Sequence, residues 1–259
     1  MKWVQWVLLA VVMLATVSGF AQEAIELPPA VAAGEYGKPP QLISELAILA
    51  GLSILPYAIM LLTSYMKIVI VLSLLRNALG VQQSPPNQVL NGIAILMSIY
   101  VMFPTGIAMY NAASKALNTN PPQELFTGAT APYLMNVLDE GKEPLRDFLQ
   151  RNSIGKNITS FYQLAYRAYP EEYRSALKQN DFLVLIPAFI TTQLKAAFEI
   201  GVVIYLPFFV IDLVVSNILL AMGMMMLSPL SIALPLKLLL IVMVDGWTLL
   251  IQNLVLTFR

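Results

Sequence analysis

FLVLIPAFITTQLKAAFEIGVVIYLPFFVIDLVVSNILLAMGMMML, residues 182–227, is apolar for 46 residues and is broken only by Lys195, Glu199 and Asp212. A membrane span of about 30 Å needs about 20 apolar residues. This run is too long for one perpendicular span, so it reads as two spans or as one helix with a break. It ends in Met222, Met224, Met225 and Met226, just before the turn signal Ser228-Pro229. Methionine is long, unbranched and flexible, and it specifies packing poorly. No period-two strand pattern and no repeat of 20–50 residues occurs elsewhere, so the expected class is all-α.

Composition agrees with a membrane setting. The 259 residues are 58% hydrophobic and 12% charged, with a mean hydropathy of +0.72. Soluble domains are nearer 45–50% apolar and about 25% charged. The 15 basic and 15 acidic residues cancel, which leaves no electrostatic case for nucleic acid as a partner. The chain has neither cysteine nor histidine, which excludes thiol nucleophiles, disulfides, histidine triads and the commoner zinc sites. No GxxxxGK[ST] phosphate loop is present, and Val244-Asp245-Gly246 lacks the GxGD frame of intramembrane aspartyl proteases. The chain is expected not to be an enzyme, to have no catalytic residues, and to need neither cofactor nor metal.

Five segments follow along the chain. Residues 1–21 carry one lysine, an apolar core from Val7 to Val17, and small residues Gly19 and Ala21 before a cut. They read as a secretory signal peptide, with an uncleaved signal anchor as the alternative. Residues 22–41 read as a polar, Pro-rich exported tail. Residues 42–110 read as a first hydrophobic helical hairpin. Its first run ends at Met66, a basic connection holds Lys67 and Arg76, the turn is SPPN at 84–87, and a second run from Val89 to Tyr110 contains Pro104. Residues 111–181 hold eight basic and eight acidic residues and read as a small soluble helical insert whose tyrosines, among them Tyr162, Tyr166 and Tyr173, pack a small core. Residues 182–259 read as C-terminal hydrophobic helical hairpins with the Met-rich tip. The basic connection places its side in the cytoplasm, so the neutral insert faces the periplasm.

Charges inside apolar runs are the other informative feature: Lys195, Glu199, Asp212, Lys237 and Asp245. Each would cost about 2.5–3.5 kcal/mol in hydrocarbon, so each should face protein or water. Lys195 and Glu199 share a helix face at i,i+4 and can pair locally. Asp212 and Lys237 are nearly symmetric about Met224 and Met225, so an antiparallel hairpin with its tip there would bring them together. These charges either neutralise one another within a bundle or hold subunits or hairpins in contact.

Three blocks carry a family resemblance: SLLRNALGVQQSPPNQVLNGIAI (73–95), LPFFVIDLVVSNILLAMGMMMLSP (206–229) and LPLKLLLIVMVDGW (234–247). From about residue 42 to the C-terminus the chain resembles the FliP/SctR family, core inner-membrane subunits of the flagellar and virulence type III secretion export gates. The resemblance implies an all-α integral membrane protein that assembles, in about five copies, into a helical multi-subunit gate. Its implied partners are two smaller membrane proteins of the Q/S and R/T types, the switch autoprotease subunit and secreted protein substrates. The implied location is the bacterial inner membrane at the base of the secretion system, protruding to the periplasmic side. In that picture Met224, Met225 and Met226 form a ring closing the channel around substrate, and Gly223 supplies the freedom for a bent tip. Methionines filling a hairpin core are the alternative. RNALGVQQ and VVSNILLA lean toward the injectisome branch, whereas the signal peptide and the insert are more typical of flagellar members; the injectisome is favoured. The competing function is a charge-coupled membrane transporter using Lys195, Glu199 and Asp212. It should show paired, interrupted halves, which the dissimilar halves here do not suggest.

Overall fold

The computed structural model describes residues 41–81, 85–119, 130–224 and 226–258. Every regular element among them is an α-helix. The expected signal peptide and residues 22–40 of the tail lie outside the described residues, and Gln41 opens the first helix. The chain divides at Ala50 and Gly51. Of the first unit, residues 41–50 form the opening turns of α1, Gln41–Leu62. The second unit contains the rest of α1, then α2 Tyr65–Leu79, α3 Asn87–Thr119, α4 Thr130–Arg151, α5 Gly155–Ala168, α6 Glu171–Arg174, α7 Phe182–Ala221, α8 Pro229–Met243 and α9 Gly246–Leu256.

The centre of the second unit is α2, which buries Lys67, Ile68, Val71, Leu72, Leu75, Ala78 and Leu79. Its short alternation of β-branched residues and leucine has few polar interruptions, so almost the whole circumference can be covered by neighbours. One face meets Leu90 and Ala94 of α3, with the buried Ser64 hydroxyl donating to Ser98 at 3.1 Å. A second face meets α7 through Val71 and Ala197, and through Leu75, Leu79 and Phe208. Residue numbers rise together along this contact, so α2 and α7 run parallel. The α9 helix returns antiparallel, with Leu254 beside Val71 and Thr257 beside Lys67.

The basic connection expected at Lys67–Arg76 is therefore this buried helix, and the loop reading is corrected. The chain breaks at Thr63-Ser64 instead. Positive charge marks a cytoplasmic loop when it is solvated, but both cations here have internal partners. The Lys67 ammonium donates to Thr257 Oγ1 at 3.1 Å and lies 3.8 Å from the Phe258 ring centroid, a cation–π contact. Arg76 donates to Asn87 Oδ1 and the Pro85 carbonyl, closing the α2–α3 turn.

Residues 182–221 form one 40-residue helix containing Pro187 and Pro207, about 60 Å long at 1.5 Å per residue. The α3 helix runs 33 residues and carries Pro104; it passes through the expected boundary at 110/111 and takes residues 111–119 with it. By length and composition, Asn87–Leu117 and Phe182–Ala221 can each cross a membrane.

Among the described residues of the insert, no tyrosine is buried. Its α4 packs Phe148 and Leu149 against Leu185 and Phe189 of α7, with the Phe148 and Phe189 rings 5.8 Å apart. Tyr166 and Tyr173 are exposed, and α5 buries no residue. The α4–α5 turn is tied down by polar contacts instead. Thr192 Oγ1 accepts from the Ile154 backbone at 3.2 Å and from Asn157 Nδ2 at 2.9 Å, while Gln193 Nε2 donates to the Asn152 carbonyl at 2.7 Å.

The α2 and α7 helices approach closely at Gly201, where an added Cβ would lie 2.2 Å from Leu74 Cδ1 and 3.3 Å from Leu74 Cγ. Gly201→Val should destabilise the fold by about 1–3 kcal/mol through overpacking, and Gly201→Ala by less, because Leu74 can turn away from one methyl. Thermal unfolding of the purified full chain in detergent reads this directly. A wild-type midpoint for Gly201→Val would show that the two helices are not in contact there.

Candidate functional site: the methionine tip and its charged support

The tip is built by the end of α7. Gly223 has φ +72, its N–H donates to the Leu220 carbonyl at 3.1 Å, and the Met224 N–H reaches back to the Leu219 carbonyl at 3.0 Å. This pair of bonds, five-to-two and six-to-one, is the Schellman termination, in which glycine holds the left-handed position and satisfies carbonyls that the helix leaves open. The chain then turns through Ser228 into α8, with Pro229 at its first position, where a missing N–H costs nothing. Nothing lies within 4 Å of a Cβ placed on Gly223, so the demand for glycine there is conformational and not steric.

The side chains at the tip point away from the fold. Met222 is 60%, Met224 41% and Met226 102% exposed. Met225 lies outside the described residues. Methionines filling the core of the hairpin would be buried, and these three are not.

Below the tip the structure brings Asp212 of α7 and Lys237 of α8 together. The Lys237 ammonium donates to Asp212 Oδ2 at 2.7 Å and to the Ala78 carbonyl of α2 at 3.0 Å. The Lys237 side chain is 2% exposed and that of Asp212 37%, so the cation is buried and the carboxylate keeps partial access to its surroundings. Ala78 sits in the last turn of α2, where uncapped carbonyls and the helix dipole favour a positive charge. One ammonium thus joins α2, α7 and α8.

The remaining predicted charges stand apart from this cluster. Lys195 and Glu199 approach to 3.6 Å along α7, with side chains 61% and 65% exposed; a pair so open contributes little to the stability of the isolated chain. Asp245 occupies the left-handed region at φ +51, the one described non-glycine residue to do so, and its Oδ1 accepts from Thr248 Oγ1 at 2.9 Å. It marks the 61° bend between α8 and α9, and Gly246 follows because a Cβ there would lie 2.7 Å from Ile241 Cγ1. The Ala78 carbonyl completes the site, and a backbone acceptor leaves no mark on a sequence. Among the described residues no group of three or more acids could hold a metal ion.

Comparison with known proteins fits this architecture. The model of the FliP family matches residues 48–254. The hypersensitivity response secretion protein HrcR of Ralstonia nicotianae is 43% identical over 216 residues, covering 83% of this chain and 97% of that protein. The Yop proteins translocation protein R of Yersinia pestis is 44% identical over 221 residues, covering 85% and 97%. The flagellar biosynthetic protein FliP of Pectobacterium carotovorum is 40% identical over 216 residues, covering 83% and 78%.

The unequal burial of the Asp212–Lys237 pair predicts unequal effects of removing each partner. Asp212→Ala strands a buried ammonium and should cost about 3–5 kcal/mol. Lys237→Met deletes that ammonium, leaves a carboxylate that can be solvated, and should cost less. Exchanging the two residues should not rescue either single reversal, because a carboxylate at 237 would face the Ala78 carbonyl. Thermal unfolding and membrane yield of the set test this. Equal losses for the two single variants, or recovery in the exchange, would contradict the buried-cation geometry.

Proposed function

The chain belongs to the FliP family, and from that premise we propose that it is a structural, channel-forming core subunit of a type III protein secretion export apparatus. In this reading it is not an enzyme; it passes unfolded protein substrates across the bacterial inner membrane. The observation that carries the reading is the tip: exposed thioethers on a backbone turn fixed by Gly223 and supported by the Lys237 contact.

Several copies, about five by family resemblance, place Met224, Met225 and Met226 in a ring. A ring of apolar, pliable side chains resists water and ions and repacks around passing chains of varied sequence. Assembly with the Q/S-type and R/T-type membrane proteins, and contact with the switch autoprotease subunit, complete the gate at the periplasmic side of the inner membrane. The long apolar helices support this. Val203, Val210 and Val214 of α7 and Leu239 and Val242 of α8 are all more than half exposed or close to it, and such faces need partner helices or lipid. Lys195 and Glu199 lie on the exposed surface of the same helix, where contact between subunits can satisfy them. Asp212, Lys237 and Asp245 act at hairpin contacts.

The injectisome is favoured over the flagellum. The secretion and translocation proteins of Ralstonia and Yersinia are 43% and 44% identical to the chain, against 40% for the flagellar protein of Pectobacterium. RNALGVQQ and VVSNILLA support the same branch. A deletion strain scored for motility and for effector secretion separates the branches, with loss of secretion and normal swimming expected.

Two further outcomes test the gate. Native mass spectrometry after mild solubilisation should give a hetero-oligomer with two smaller membrane proteins, whereas a monomer or simple dimer would remove the reading. Replacing Met224, Met225 and Met226 with glycine should leave assembly intact and raise passive ion permeability of the membrane. Background permeability in confirmed assemblies would rule out the seal.

A further inference from the structure

We propose that Met222, Met224 and Met226 form an oxidation site, at which hydrogen peroxide converts the tip thioethers to sulfoxides and opens the seal. The consequence for the seal rests on the gate reading; the site itself rests on accessibility.

The chain contains 13 methionines and no cysteine or histidine. The thioether is therefore the softest nucleophile it presents, and no thiol competes for the oxidant. Exposure then decides which sulfur reacts. Met66, Met97, Met102 and Met109 are all partly covered by neighbouring helices. The tip residues are exposed at 60%, 41% and 102%. Met60 and Met243 are also exposed, at 39% and 76%, but neither has another methionine beside it in the chain. Among the described residues, the tip is the place where exposed methionines cluster.

The chemistry balances without a cofactor. The sulfur lone pair attacks one peroxide oxygen, the O–O bond breaks, and an S–O bond forms. Sulfur is oxidised by two electrons, and the second oxygen leaves as water after taking up a proton. The product is polar and chiral, with a strong acceptor oxygen. An apolar ring excludes water because it offers no hydrogen bonds, and each sulfoxide supplies one. Reduction by methionine sulfoxide reductase with a dithiol returns the thioether and releases water, so the change is reversible.

The test uses the full chain in membranes of cells that also produce its export partners. Membranes are treated with hydrogen peroxide, quenched and digested with trypsin. Cleavage after Lys195 and Lys237 gives peptide 196–237, whose only methionines are those of the tip region, and peptide 238–259, whose only methionine is Met243. Fragment sequencing should show oxygen added at Met222, Met224 and Met226 roughly fivefold faster than at the partly covered Met97, following exposure. Ion permeability should rise in parallel and fall again after sulfoxide reductase treatment. A variant with Met222, Met224, Met225 and Met226 all changed to leucine should keep low permeability after peroxide. Tip oxidation no faster than that of Met97 would overturn the oxidation site. Preferential tip oxidation with unchanged permeability would establish the site and overturn the seal reading on which its consequence depends.

Discussion

The Lys237 ammonium is the constraint on which the arrangement of this chain depends. It is almost wholly buried, and it reaches both Asp212 Oδ2 at 2.7 Å and the Ala78 carbonyl at 3.0 Å. A buried cation without partners costs several kcal/mol, so any movement that separates α7 from α8, or α2 from either, must also solvate or re-pair that charge. Apolar contact alone is indifferent to small slides along a helix axis. A two-acceptor contact is not, and it sets the axial register of three helices at one point. That point lies directly below the turn at Gly223, and the position of the tip is referred to the centre of the fold through it.

The parallel pairing of α2 and α7 gives this contact its leverage. Both helices run toward the tip, so the carbonyl end of α2 arrives where Lys237 needs an acceptor. Gly80 then ends α2 in the left-handed conformation at φ +74, and the Arg76 contacts with Pro85 and Asn87 return the chain into α3. At the opposite end of α2, Lys67 faces Thr257 and the Phe258 ring. The central helix is therefore held by a cation at each end, one supplied by α8 and one its own. Between them the buried residues of α2 are apolar, with Gly201 letting Leu74 close against the backbone of α7.

Much of this was legible because hydropathy and charge act over short distances. The 46-residue apolar run and the all-α class follow from composition, and the near symmetry of Asp212 and Lys237 about the methionines anticipated that the two would meet. Lys67 and Arg76 look like solvated loop charges in the sequence, because a sequence states that a charge exists but not which hydroxyl, ring or carbonyl will receive it. The same blindness hid the Ala78 carbonyl. The boundary at 110/111 follows a change of composition, but α3 continues to Thr119, since helix propagation needs only backbone bonds and α4 lies beside this end, with Gly141 next to Ala113. Tyr166 and Tyr173 were assigned to a core because aromatic residues usually bury large areas. The insert instead rests Phe148 and Leu149 on α7, and α5 has no buried residue.

The tip separates two demands that a uniform apolar loop would set against each other. Its backbone is closely specified, with the Leu219 and Leu220 carbonyls both satisfied and one residue in a left-handed conformation. Its side chains are loosely specified, since thioethers of low rotamer preference occupy open space. Leucine or phenylalanine on the same turn would give an equally apolar surface, but with fewer shapes available to it. A more flexible backbone carrying those residues would adapt, at the loss of a defined position. Fixing the turn and freeing the side chains yields an apolar surface whose place is set by the Lys237 contact and whose outline adjusts to whatever lies against it. The same openness leaves the sulfur atoms accessible, so the property that suits the tip to conforming around other chains is also what exposes it to oxidation.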